Sequence, residues 1–143
     1  KMEAEYEGQD GKRHPAVMIH RAILGSLERF IGVLTEHYAG KFPLWLSPVQ
    51  VRILTVADRF NDYANQLQKR YFEAGIRVEA DEKAESVPYK VREAELDKVN
   101  YIIVVGEKEV AANTVTVRKG KEQFTVDAEK FMRQVLDEIK NRL

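Results

Sequence analysis

Hydrophobic positions along this chain recur with two periods, and the places where one period gives way to the other divide it into elements. Residues 2–7 alternate weakly and run into Gln9-Asp10-Gly11-Lys12, a turn signal whose glycine tolerates positive φ. In residues 16–20, Ala16, Met18 and His20 share one side and Val17 and Ile19 the other, the alternation of a strand. The two segments therefore read as a hairpin. From Arg21 the period lengthens: Ile23, Leu27, Phe30 and Leu34 fall on one stripe of a helix predicted to run to about residue 39, with Gly40 as its C-cap. Pro43 and Pro48 bracket Trp45 and interrupt regular structure, so residues 41–48 read as a linker. Trp45 needs somewhere to bury its ring.

The remainder alternates strand and helix patterns. Val49, Val51 and Ile53 begin a strand reaching about Val56; Asp58 is placed to cap a helix with Phe60, Ala64, Leu67 and Tyr71 as its stripe and Gly75 as its stop. Residues 76–80 form a second strand, 82–86 an acidic loop, and 87–98 a helix with Pro88 in its first turn. Tyr101-Ile102-Ile103-Val104-Val105 is uninterrupted, as in a strand buried on both faces. Residues 106–113 read as a connection, 114–118 and 123–126 as two further strands, and Asp127 as the cap of a last helix whose Phe131, Val135 and Ile139 face the core. This order predicts an α/β fold with a mixed, mostly parallel five-stranded sheet flanked by helices in three layers, the short 106–113 and 119–122 connections favouring at least one antiparallel pairing. The domain reading is 1–40, linker 41–48, and 49–143.

Composition narrows the function. The chain's 143 residues suffice for one compact domain burying roughly 68–70% of its unfolded surface. With 23 basic and 23 acidic residues no global field draws it to nucleic acid, so any RNA contact must come from a local patch. The absence of cysteine excludes disulfides and thiolate metal sites. No apolar run approaches the roughly 20 residues of a membrane span, and no leader opens the chain, so a cytoplasmic protein without membrane contact is expected. Lys1-Met2-Glu3 reads like the middle of a longer protein.

Gly25-Ser26-Leu27-Glu28-Arg29-Phe30, on a helix after a short strand, resembles motif 3 of the class II aminoacyl-tRNA synthetases. The run from His20 to Gly40, ending Glu36-His37-Tyr38-Ala39-Gly40, narrows the resemblance to the threonyl-tRNA synthetases. Residues 42–51, with Trp45 between the two prolines, resemble the entry to their anticodon-binding domain; Ala74-Gly75-Ile76-Arg77-Val78, Tyr89-Lys90-Val91-Arg92-Glu93-Ala94 and Gly106-Glu107-Lys108-Glu109-Val110 are family strings within it. The resemblance implies the end of the catalytic domain over residues 1–40, then a complete anticodon-binding domain.

Each candidate residue has a plainer reading beside this one. An arginine on an amphipathic helix is usually a solvated face residue; the resemblance makes Arg29 the motif 3 arginine that holds ATP phosphates in the parent enzyme, whose cofactors are ATP with Mg2+ and Zn2+. A lone strand histidine is usually structural, and zinc needs three or four ligands; the resemblance makes His20 one zinc ligand whose partners lie upstream, so this chain alone is expected to bind neither zinc nor ATP. Glu109 follows a buried strand and Arg118 shares a polar strand face with Thr114 and Thr116. Composition alone would make both surface charges, whereas the resemblance implies contacts with the second and third anticodon bases, read by a carboxylate acceptor and an arginine fork. Arg92 and Lys98, expected on a helix with Lys90, are weaker candidates for anticodon-stem phosphates. The loop 82–88 departs from the family's Arg-Asn-Glu-Lys-Ile-Gly pattern and is more acidic, which weakens the case for RNA contact there; His14-Pro15-Ala16 also departs from the pattern.

The expected function is recognition of the threonine-tRNA anticodon stem-loop as part of an ATP-dependent threonine–tRNA ligase, the chain alone binding tRNA without catalysis. Its partners are that tRNA and the rest of the catalytic domain; the parent is expected to be a homodimer and this chain a monomer. The alternative is an accessory protein-interaction module that keeps the fold without RNA binding.

Overall fold

The computed structural model describes residues 4–142, so Met2 and Glu3 of the first predicted strand lie outside the described residues. The chain divides into two compact units, Lys1–Leu34 and Thr35–Leu143.

In the first unit, β1 (Glu5–Glu7) and β2 (Arg13–Pro15) form an antiparallel hairpin pairing Tyr6 with His14. The turn determines this register: Gly11 sits at φ 68 and the Asp10 carboxylate accepts the Lys12 N–H at 3.2 Å. The strand predicted over 16–20 is therefore displaced upstream: the Ala16 N–H still donates to the Ala4 carbonyl at 2.8 Å, and residues 16–20 are irregular and exposed. His14 Nε2 lies 2.9 and 3.1 Å from the two Asp10 oxygens, which gives the unexpected histidine a role in closing the hairpin.

The first helix, α1 (Leu27–Tyr38), begins later than its apolar stripe. Gly25 is left-handed at φ 67, and Ser26 Oγ accepts the Arg29 N–H at 3.3 Å as a cap would. Its end is a Schellman motif: Gly40 N–H donates to the Thr35 carbonyl and Ala39 N–H to that of Glu36. The left-handed C′ position is thus Ala39 at φ 49, one residue before the glycine expected there.

In the second unit, five strands follow: β3 (Val51–Thr55), β4 (Val78–Asp81), β5 (Tyr101–Val105), β6 (Thr114–Lys119) and β7 (Glu122–Asp127). They form one mixed sheet ordered β4-β3-β5-β6-β7, parallel across β4-β3-β5 and antiparallel across β5-β6-β7. The parallel and antiparallel pairings are equal in number, where a mostly parallel sheet was expected.

One face of the sheet carries the main core. Ile53, Tyr101, Ile103 and Val117 pack with Leu67 and Tyr71 of α2 (Asn61–Glu73) and Phe131 and Val135 of α5 (Ala128–Lys140). On the other face Leu54 and Ile102 pack with Val91 and Ala94 of α3 (Val87–Leu96), completing the three layers. Asp127 caps α5 as expected, accepting the Glu129 and Lys130 N–H groups at 3.0 Å. Asp58 instead opens a 3-10 turn (Asp58–Phe60) before α2 and makes no side-chain cap. The connection over 106–113 contains a one-and-a-half-turn helix, α4 (Glu107–Ala112), ended by left-handed Asn113.

Candidate nucleic-acid interface

Alternation along β6 and β7 creates the site. Val115 and Val117 enter the main core, so Thr114, Thr116 and Arg118 point to the opposite face. There the register sets Thr116 opposite Thr125 and Arg118 opposite Gln123. The apolar contacts of α3 on this face lie on β3 and β5, and the β6-β7 portion presents hydroxyl, amide and guanidinium groups.

Glu109 reaches this face from α4. Its Oε2 accepts the Gly106 N–H at 3.0 Å, the back-reaching half of a capping box, and its Oε1 accepts Thr116 Oγ1–H at 2.8 Å. Thr116 Oγ1 lies 3.2 Å from Thr125 Oγ1, so carboxylate and both hydroxyls form one fixed chain. Two contacts hold the Glu109 carboxylate in place, while its remaining lone pairs stay available as acceptors. Arg118, one strand repeat further on, is half-buried, and its Nε is inaccessible without a partner. A carboxylate acceptor and an arginine fork on one rigid face can together discriminate the edges of unstacked bases.

The weaker candidates separate. Arg92 is exposed on α3, whereas Lys98 lies beyond that helix in left-handed backbone at φ 59. Lys90 is not on their face: it is 2% exposed and its Nζ donates to the carbonyls of Thr55 at 3.3 Å and Asp81 at 3.1 Å. A lysine deep in a sheet needs such acceptors, and here it ties the ends of β3 and β4 together. Lys98 and Arg118 line one cavity of about 340 Å³, a juxtaposition that no linear reading could show.

A larger cavity, about 460 Å³, lies elsewhere, against the 82–83 loop. Its arginine, Arg52, already pairs with Asp97 at 2.6 Å and Glu79 at 3.1 Å, and Asp81, Glu82 and Glu93 add negative charge that repels phosphate.

In the first unit, Arg29 is exposed on α1 and His20 is exposed in the irregular segment. Among the described residues no three histidine, cysteine, aspartate or glutamate side chains meet as a metal site, so the residues present do not by themselves fit zinc. Nor is any helix among them long and apolar enough to cross a membrane.

A mixed sheet with helices on both faces and a polar patch at its antiparallel end defines an α/β binding module. Residues 50–138 match the family model described as Anticodon binding domain, and the chain belongs to that family. Along nearly its full length it is similar to threonine–tRNA ligases: 55% identical over 140 residues to that of Clostridioides difficile (strain 630), covering 96% of this chain and 22% of the relative. The ligase of Carboxydothermus hydrogenoformans is 45% identical over 148 residues, covering 99% and 23%. Among solved structures, the RNA binding domain of threonyl-tRNA synthetase from Cryptosporidium parvum Iowa II superposes with a TM-score of 0.76 at 33% identity, covering 90% of this chain and 33% of that one. The resemblance read from the sequence is borne out, and the chain spans little more than a fifth of the length of the curated relatives, 22% and 23%.

Proposed function

We propose that the chain recognises the anticodon stem-loop of threonine tRNA as part of a threonine–tRNA ligase, an ATP-dependent enzyme that joins threonine to its tRNA. The observation that carries this reading is the open polar face of β6 and β7, on which Glu109 is held by Thr116 and Gly106 and, among the described residues, the buried Nε of Arg118 has no hydrogen-bond partner. Glu109 and Arg118 contact the second and third anticodon bases; Arg92 and Lys98 hold backbone phosphates, which add affinity without sequence information. The comparisons lend no support to an accessory module that does not bind RNA.

In the whole ligase Arg29 contacts the ATP phosphates with Mg2+ nearby, and His20 joins two further protein ligands on a zinc ion that reads threonine. The exposed apolar residues of the first unit, Val17, Ile19 and Ile23 at 87%, 85% and 82% accessibility, are suited to cover by the rest of the catalytic domain. The ligase works in the cytoplasm as a homodimer, and the present chain alone is a monomer that binds tRNA without catalysis.

The test is a fluorescence titration of the chain with a threonine-tRNA anticodon stem-loop and with one altered at its second and third anticodon bases. The cognate loop should bind more tightly, and Arg118→Ala or Glu109→Gln should each reduce the preference by about 1–3 kcal/mol. Equal binding of the two loops by the unaltered chain would contradict base reading.

A further inference from the structure

The 340 Å³ cavity has a charge pattern that base reading does not require. It lies toward the start of β5, away from α4, and three separate segments each bring a cation to it: Lys41 from the linker, Lys98 from beyond α3, and Arg118 from β6. Among the described residues these three side chains have no ion pair or hydrogen bond, and Glu95 is the acidic residue that lines the cavity. Lys98 occupies left-handed backbone at φ 59 as the residue that ends α3 in a Schellman motif, its N–H donating to the Glu95 carbonyl and that of Val99 to Ala94. Asn100 Nδ2 donates to the Phe42 carbonyl at 2.9 Å, fastening the linker against the rim and so fixing where Lys41 begins. Three cations against one acid leave the cavity with a net positive charge that favours an anion.

We propose that Lys41, Lys98 and Arg118 form one anion site that takes a phosphate of the RNA backbone beside the base read at Arg118. The inference rests on the reading of the chain as an RNA-binding module. It adds Lys41, which lies outside the sheet, and gives Arg118 two neighbours, a base edge and a phosphate, for its five donors. A free phosphate or nucleotide offers the same chemistry.

Two measurements separate the sources. In stem-loop titrations at two salt concentrations, Lys41→Ala should weaken cognate and altered loops alike, on the order of five-fold at low salt, and lower the salt slope by about one. Lys130→Ala, on the exposed side of α5, changes net charge equally and should do neither. In the second measurement inorganic phosphate is titrated against the labelled chain while the backbone amides of Lys98 and Gly120 are followed by NMR. If the unaltered chain prefers the cognate loop yet Lys41→Ala matches it in affinity and slope, the anion site is overturned while anticodon recognition stands. If no stem-loop binds, anticodon recognition falls, and phosphate alone decides the site. Amide shifts weakened by Lys41→Ala support a site for free anions, and unmoved amides overturn it.

Discussion

Tyr71 joins two helices through one hydrogen bond. The side chain is 1% exposed, its hydroxyl donates to the Ala128 carbonyl at 2.8 Å, and burial pushes its pKa far up, keeping the phenol protonated. Tyr71→Phe keeps the ring against Phe131 and removes only that bond, so stability should fall by about 1 kcal/mol, seen as a lower denaturant midpoint with an unchanged slope. Thr116 acts on function through Glu109. Thr116→Val retains the strand and its β-branched shape but leaves Oε1 without its donor. The expected result is a normal melting temperature with cognate preference reduced on the order of five-fold, since a carboxylate held at one point instead of two discriminates less well. Retained preference would show that Gly106 alone positions the group. Lys90 illustrates how a residue's type can mislead: lysine in a helix normally faces water, and only the carbonyl ends of β3 and β4 above it explain its burial.

At the scale of elements, the strongest local signals held. Gly75 ends α2 in a Schellman motif at φ 95, its N–H bonded to Phe72 and that of Ile76 to Tyr71. Gly75→Ala should therefore cost about 1–2 kcal/mol by thermal or denaturant unfolding, the penalty of a Cβ in left-handed backbone. A polar clasp joins β5, β6 and α5: Lys119 Nζ donates to the Tyr101 hydroxyl at 2.8 Å, and that hydroxyl donates to Glu138. Burial raises the Tyr101 pKa, Lys119 opposing and Glu138 adding; burial opposes the Lys119 charge, but the bonds and charges of Tyr101 and Glu138 together outweigh it and raise that pKa too. Both groups hold their protons more tightly folded than unfolded. Their contribution is complete below about pH 10, the unfolded value, and is lost as pH rises through the folded values. Denaturant midpoints between about pH 8 and 11 should fall more steeply for the unaltered chain than for Tyr101→Phe. The buried β5, the stripe of α2 and the Asp127 cap were legible because each depends on near neighbours. α4 was not: six residues are too few to show a stripe, and its cap uses a glycine with Glu109. The first hairpin was misplaced because the apolar alternation of 16–20 is stronger than that of 13–15, yet the turn at Asp10 and Gly11 chooses the partner.

For the whole molecule, neutrality conceals a partition. Acidic side chains surround the larger cavity at Arg52, while cations without an ion pair among the described residues line the smaller one and the β6-β7 face remains polar and open. Spacing could suggest Glu109 and Arg118 as neighbours of one sheet, and the family resemblance gave them roles. Lys41 stayed hidden because its nearness to Arg118, 77 positions further along the chain, is a product of folding. An interface with so few cations should bind RNA weakly and lose affinity quickly as salt rises. The most direct test of where recognition occurs is NMR mapping of the labelled chain with the cognate anticodon stem-loop. Amide shifts concentrated on Thr114–Lys119, Glu122–Asp127 and the start of α4 are the predicted result. Shifts centred on the exposed surfaces of α2 and α5, with β6 and β7 unmoved, would contradict it.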